Sequence, residues 1–552
     1  MKVSGSVTRF FGGIACALAL TACGGGGSDG APATPAAPAT PVTPVAPTPP
    51  IVRPEQSWLT ITPSSADVTA YAGEAANVSI TAKSAKTFAK PVYIAIVDKA
   101  GVFSTKVKVT ELPDREFRAD LEISSALPAG QHSVDLELRL CEDEARICNV
   151  PVPGSPWLIA VKVNVLSQTN RTPLNVMPNV ANWSTYQGNA SHSAYVPAVF
   201  DTKKFSRRWV MYPSSAGYAA TPLTHDDGRA FVSLISTGDY SKAVLMASSE
   251  DSGEELWRMD FGPFKLSAPA AADGKVYVAT SDCCSTFFWA LDQKTGKVLS
   301  KHTTMQESLI YNTAPTIFNG TVYSNAGIDR DAGPTYYRAT SVTKISTGTL
   351  GEVWKASLQV EDEWTPAVDE LHAYVYAAGK LHAISTADGK TAFTIPYAYT
   401  GVGTDSALAL DGSGMAFTVQ SREVVAFDLK RRKLAWSTDS MAMTGSPAVA
   451  RNVVYALRES DPGRVHDVVL EAFDAATGLS QWKSGSLPAG SLYLVAADNL
   501  VFVGAEKKTV AIDIATHRTV WEHPGGGQLS ISNRGVLYIA GTDGKITAIN
   551  LR

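Results

Sequence analysis

The sequence predicts an all-β chain: a β-sandwich followed by an eight-bladed β-propeller. Three observations carry this reading. An eleven-residue pattern, clearest at Ala472–Trp482 as A-F-D-A-A-T-G-L-S-Q-W, recurs eight times from about residue 180 onward. A second marker, a small or turn residue before an apolar-aromatic strand, also occurs eight times. In front of both lie seven short runs of alternating polarity.

At 552 residues the chain exceeds one ordinary domain, and 45% hydrophobic with 18% charged residues describes a globular protein. Lys plus Arg is 48 and Asp plus Glu is 52, a formal charge of −4 with no block of one sign. That balance excludes a nucleic-acid footprint.

Residues 1–22 read as an export signal: Lys2 and Arg9, an apolar run from Phe10 to Leu20, then Leu20-Thr21-Ala22-Cys23. The run is too short to span a bilayer. The four residues ending in Cys23 resemble the bacterial lipobox. That resemblance implies acylation of Cys23 (a palmitate-type anchor) and, with Gly24 behind it, the outer membrane, facing the periplasm or the surface. Loss of Lys2 and Arg9 with the leader takes the net charge to −6. Residues 23–54 are then a tether, because a stretch of Ala, Pro, Thr and Val has no core to bury and Pro keeps it extended.

Residues 55–167 are expected to form an immunoglobulin-like β-sandwich, with strands at 58–61, 76–81, 92–97, 105–109, 117–123, 132–140 and 157–165. Cys141 and Cys148 lie in a charged loop between the last two, and a local disulfide is expected, with metal binding as its rival.

Residues 168–552 hold the repeats. The pattern stands complete at Ala247–Trp257, Ala426–Trp436, Ala472–Trp482 and Ala511–Trp521. It lacks its Trp at Ala290–Ser300 and Ala383–Phe393, is weaker around Val342–Trp354, and is cut short at Ala548–Leu551. Ala247 to Ala548 is 301 residues over seven steps, or 43 per repeat, the size of a four-stranded blade. Asp and Thr-Gly make a tight turn, Ala allows close approach, and Trp covers the neighbouring blade. The expected docking residues are Trp209, Trp257, Trp354, Trp436, Trp482 and Trp521. Trp209 has no alanine strand before it and the last copy has no Trp, so the N-terminal segment is expected to complete the final blade.

This motif resembles the tryptophan-docking repeat of propellers related to pyrroloquinoline quinone (PQQ) dehydrogenases, and Trp183 to His192 is similar to the leading segment of that superfamily. A dehydrogenase of this kind would need calcium ligands, a catalytic Asp and an Arg at the quinone. No convincing grouping of these exists, so no catalytic, cofactor or metal residue is assigned; PQQ and calcium remain the alternative. The adjacent Cys283 and Cys284 read as a vicinal disulfide or two free thiols in a loop, with a cofactor role as the alternative, in a context unlike that of the dehydrogenases. H-E-x-x-H, C-x-x-C-H, G-x-S-x-G and Walker patterns are absent. His372 and His382 flank one turn and, with Leu371, Tyr374 and Leu381 around them, read as blade core, with a metal pair as the alternative. Glu361-Asp362-Glu363 and His225-Asp226-Asp227-Gly228 read as solvated turns, with a cation site as the alternative, and Trp289, Trp364 and Tyr336-Tyr337 as blade packing or, alternatively, a surface-polymer site.

An anchored propeller without cofactor residues resembles the BamB type, the lipoprotein of the outer-membrane β-barrel assembly machine. The resemblance implies a non-catalytic scaffold with an unidentified protein partner. BamB-type proteins have no sandwich and a shorter tether.

Overall fold

A computed structural model describes residues 7–8 and 56–552, apart from 73–75, 89–90, 113–114, 144–147, 167–171, 213–217, 237–241, 282–284, 307–313, 333–334, 359–364, 378, 398–405, 439–441, 460–467 and 489. The chain divides into two compact units, 1–167 and 168–552. Regular structure is almost entirely β, and no helix among the described residues is long and apolar enough to cross a membrane.

The first unit is a sandwich. One sheet orders Leu59–Thr62, Asn77–Ser84, Glu116–Ile123 and Phe103–Leu112; the other orders Tyr93–Val97, Gly130–Cys141, Trp157–Leu166 and Ser65–Tyr71, with Val7–Thr8 alongside its Tyr93–Val97 edge. Strict alternation in Trp157–Leu166 puts Trp157, Ile159, Val161, Val163 and Val165 into one core with Val78, Ile80, Leu121 and Ile123 of the facing sheet. Ser65–Tyr71 was not among the seven expected strands. It follows Pro63, crosses to the second sheet and runs parallel to Trp157–Leu166, and its polar, half-buried residues give no clean alternation.

The described residues of the second unit form eight sheets. In chain order they span 218–262, 265–306, 316–358, 367–396, 409–437, 443–483, 493–523 and 528–550, and are called blades 1 to 8. Within each, strands pair antiparallel in chain order from the ring axis outward, except that in blades 1 and 2 two short inner strands share one partner. Ser206–Met211 pairs with Ile546–Asn550, so the N-terminal part of the second unit supplies the outer strand of blade 8. Blade 8 in turn meets blade 1, where the Ser530 hydroxyl bonds His225 Nε2 at 2.9 Å.

The second marker supplies the blade cores. Phe231, Tyr277, Tyr323, Tyr374, Phe417, Tyr455, Phe502 and Tyr538 are each at most 3% exposed. Each faces the first residue of the eleven-residue pattern across the sheet, alanine in seven blades and Lys344 in blade 3. Burying one such ring is worth roughly 2–3 kcal/mol, so the eight together are a large part of the core.

Candidate functional site: the docking ring and the axial segment

The eleven-residue pattern builds the joints between blades. In blades 1 to 7 the register shifts by one residue directly after its first position, at Ala247, Ala290, Lys344, Ala383, Ala426, Ala472 and Ala511. Such a bulge re-aims the side chains beyond it. The pattern's Asp then closes the turn: Asp474 accepts bonds from Thr477 N at 2.9 Å and Thr477 Oγ1 at 2.7 Å, and Asp513 does the same with Thr516. Glycine follows because the chain there is left-handed and a neighbouring indole lies on it.

Four joints share one geometry. Trp209 lies on Gly253, Trp257 on Gly296, Trp354 on Gly389 and Trp436 on Gly478, with each glycine at a φ between 70° and 73°. The indole N–H of each donates to the carbonyl three residues before that glycine, on Glu250, Gln293, Thr386 and Ala475, at 2.9–3.0 Å. The other joints improvise. Trp482 stacks on His517, which holds the left-handed position at φ 60°, with centroids 4.5 Å apart. Phe393 takes the guanidinium of Arg432 at 4.7 Å, again with φ 55°. In blade 2, Ser300 stands in place of Trp, and His302 reaches the Leu350 carbonyl instead. Trp521 closes on Phe205, edge to face at 5.2 Å. All six expected tryptophans therefore sit at joints.

Residues 183–194 run around the ring axis. Their carbonyls accept backbone N–H bonds from the inner strands in blade order: Trp183 from His225, Ser184 from Ala271, Ala190 from Val368, Ser191 from Leu410, Ser193 from Val449 and Ala194 from Ala496, all at 2.8 Å. Blade 3 is reached by side chains, with Thr185 Oγ1 donating to the Pro315 carbonyl. Tyr195–Val196 then adds to blade 7 in parallel before the chain leaves for blade 8. Sequence reasoning saw this segment as a resemblance only. Its role as an axial tie needed the ring, because every partner is distant in sequence.

His192 locks the segment. Its Nδ1 lies 3.2 Å from the Leu408 carbonyl and its Nε2 3.0 Å from Thr316 Oγ1. Burial pushes the imidazole down to about 3, so the ring is neutral. A carbonyl only accepts, so Nδ1 carries the proton, while Nε2 faces a threonine oxygen whose own hydroxyl donates to the Pro366 carbonyl at 2.9 Å. Tyr186 packs edge-on against it at 5.3 Å and bonds Ser446 Oγ at 3.2 Å.

A second buried polar group sits at the joint of blades 8 and 1. Glu250, 2% exposed, takes Tyr538 OH at 3.2 Å and lies 3.4 Å from Arg534 Nε, while His225 stacks on Tyr538 at 4.2 Å. Burial lifts Glu250 to about 7 against its hydrogen bonds to Ser532 and Tyr538 and the Arg534 charge, and drives His225 down to about 3. The expectation of a solvated turn at 225–228 is therefore corrected for His225. It belongs to the inner strand Thr224–Asp226, whose alternation turns it into the joint.

The remaining expectations divide. Cys141 and Cys148 form a disulfide with Cα atoms 5.3 Å apart, and Asp143 accepts the backbone N–H of Asn149 and Val150 at 2.8 and 3.2 Å. Of the described residues, these three alone cluster with metal-ligand spacing, and disulfide sulfurs offer no thiolate. His372 and His382 do not meet. They face Ser385 and Val375 across one hairpin and bond Tyr374 and the Ala377 carbonyl respectively. Trp289 packs inward, with its N–H on Thr280 Oγ1 at 2.8 Å and Lys301 over its ring at 4.5 Å. Cys23, Cys283, Cys284, Trp364 and residues 361–363 lie outside the described residues, as do the side chains of Tyr336 and Tyr337.

The repeat matches the family model described as outer membrane protein assembly factor BamB, at residues 194–327, 338–466, 399–524 and 465–552. The chain belongs to that family. Similar solved structures include a europium-containing methanol dehydrogenase, at 12% identity and TM-score 0.49 over 67% of this chain and 98% of the other. A computationally designed protein, Ika8, is similar at 14% identity and TM-score 0.47, over 60% of this chain and 96% of the other. No curated protein matches the chain. The matched segments of this BamB-family chain begin at Ala194, at the end of the axial segment, and run to its last residue.

Proposed function

We propose that this protein is a non-catalytic scaffold of the bacterial outer membrane, anchored through acylated Cys23 and holding its propeller on the 23–54 tether to bind a protein partner in outer-membrane protein assembly. The observation that carries the reading is family membership over most of the 168–552 unit, and the axial segment supports it. The partners of residues 183–194 named above are backbone groups and hydroxyls. That set offers neither carboxylates for calcium nor an arginine for a quinone, so PQQ does not fit it and no step is derived through that cofactor.

The outer strands each leave an apolar side chain exposed, which accords with a binding role. Leu256, Val353 and Val520 are 44–51% exposed, each directly before a docking Trp, and Leu299 holds the same place before Ser300 at 44%. Alternation forces this: with the docking residue turned into the joint, its neighbour points to solvent.

Two measurements test the proposal. Cross-linking in intact envelopes, followed by mass spectrometry, is expected to capture barrel-assembly components with the wild type, and to lose them when Cys23→Ala releases the protein from the outer-membrane fraction. Titration of the purified protein with PQQ and calcium is expected to give no binding; stoichiometric, calcium-dependent heat would overturn the non-catalytic reading.

A further inference from the structure

The sandwich contains a cavity of about 40 Å³ between its two sheets. Ile80, Phe88, Ile94, Ala119, Leu138 and Ile159 are among its walls, drawn from both sheets and from the segment between Asn77–Ser84 and Tyr93–Val97. Ser84 is the one polar residue in the lining. Its hydroxyl is already engaged, donating to the Lys86 carbonyl at 2.8 Å and accepting from Lys86 N at 3.2 Å. A buried water needs two to four polar partners, and this wall offers none to spare, so the space repels water although it has room for about three.

The cavity also has an opening. Ala82, Phe88, Ile94 and Val109 line it yet are only half-buried, whereas Leu138, Leu140 and Ile159 are buried. Size narrows the occupant. A cavity that takes benzene measures about 150 Å³, so an aromatic ring does not fit here, while the last one or two carbons of an aliphatic chain do.

We propose that the sandwich binds the methyl end of a linear alkyl chain, inserted past Phe88 and Ile94, with the rest of the amphiphile outside. This site is independent of the propeller and of the scaffold reading.

The test uses the purified full chain and dodecanoic acid carrying a terminal diazirine. After photolysis, mass spectrometry is expected to find the label on the strands Asn77–Ser84, Tyr93–Val97, Glu116–Ile123 and Gly130–Cys141. Ala119→Leu fills the space and is expected to cut that labelling about tenfold. If Ala119→Leu does not fold, Ala82→Val serves in its place at the opening. Absence of label from these strands at saturating probe, label spread evenly over the propeller, or labelling that neither filling variant reduces would each overturn the proposal and leave a packing void.

Discussion

Trp436 of blade 5 lies flat on Gly478 of blade 6: a Cβ built on the glycine would fall 2.6 Å from Trp436 Cδ2, while the indole N–H holds the Ala475 carbonyl at 2.9 Å. Gly478→Ala must push the indole away and hold a side chain at φ 73°, so it should cost about 2–4 kcal/mol. Gly412 has the same φ with nothing within 4 Å, and Gly412→Ala should cost only about 1 kcal/mol. Denaturant midpoints of the two variants check the difference; equal losses would remove the indole contact as the cause.

His517 separates strain from stacking. His517→Ala loses the Trp482 contact yet keeps a non-glycine residue at φ 60°, whereas His517→Gly loses the contact and relaxes the backbone. The alanine variant should therefore be the less stable of the two, by about 1 kcal/mol. Equilibrium unfolding monitored by circular dichroism measures the gap.

Acid should destabilise the propeller. Burial pushes His192, His225 and His523 each down to about 3, so below pH 6.5 the unfolded chain takes up protons that the folded chain refuses. Each histidine thus removes about 1.4 kcal/mol per pH unit as pH falls from 6.5 towards 3. Glu250 runs the other way. Its folded value is raised by burial from 4.5 to about 7, so its contribution is full below 4.5 and fades as pH rises through that interval. Three groups outweigh one, and thermal midpoints should fall steadily below pH 6.5. His192→Gln should flatten that slope and Glu250→Gln should steepen it; parallel curves for all three proteins would contradict the assignment.

Reduction of Cys141–Cys148 reopens a short loop, and chain entropy alone puts its contribution to the sandwich at about 2 kcal/mol. Cys141→Ser with Cys148→Ser should lower the stability of the 1–167 unit by that amount. Hydrogen exchange of Gly130–Cys141 and Trp157–Leu166 reads it, since both strands flank the bridge.

Legibility followed the range of the interaction. The Asp474–Thr477 turn and the Tyr455–Ala472 pair repeat at fixed offsets, so each blade was visible as a unit of pattern. Joints with Trp on Gly were visible for the same reason. Joints using Phe393 with Arg432, or Ser300 and His302 with Leu350, were not, because different chemistry fills the same gap and leaves no recurring letter. His225 was misread as surface because its neighbours Asp226, Asp227 and Gly228 announce a turn, and only the ring places Tyr538 and Ser530 against it.

The sequence by itself determined the β class, the repeat and its eight copies, and the need for a strand from outside the last copy, all of which are local periodicities that a strand or tight turn imposes on its own residues. Only the tertiary structure decided that residues 183–194 tie the axis together, that Glu250 and His225 are buried at the joint of blades 8 and 1, and that the sandwich leaves an apolar cavity between its sheets. These depend on which distant surfaces close on one another, and burial, desolvation and packing volume exist only once they have closed.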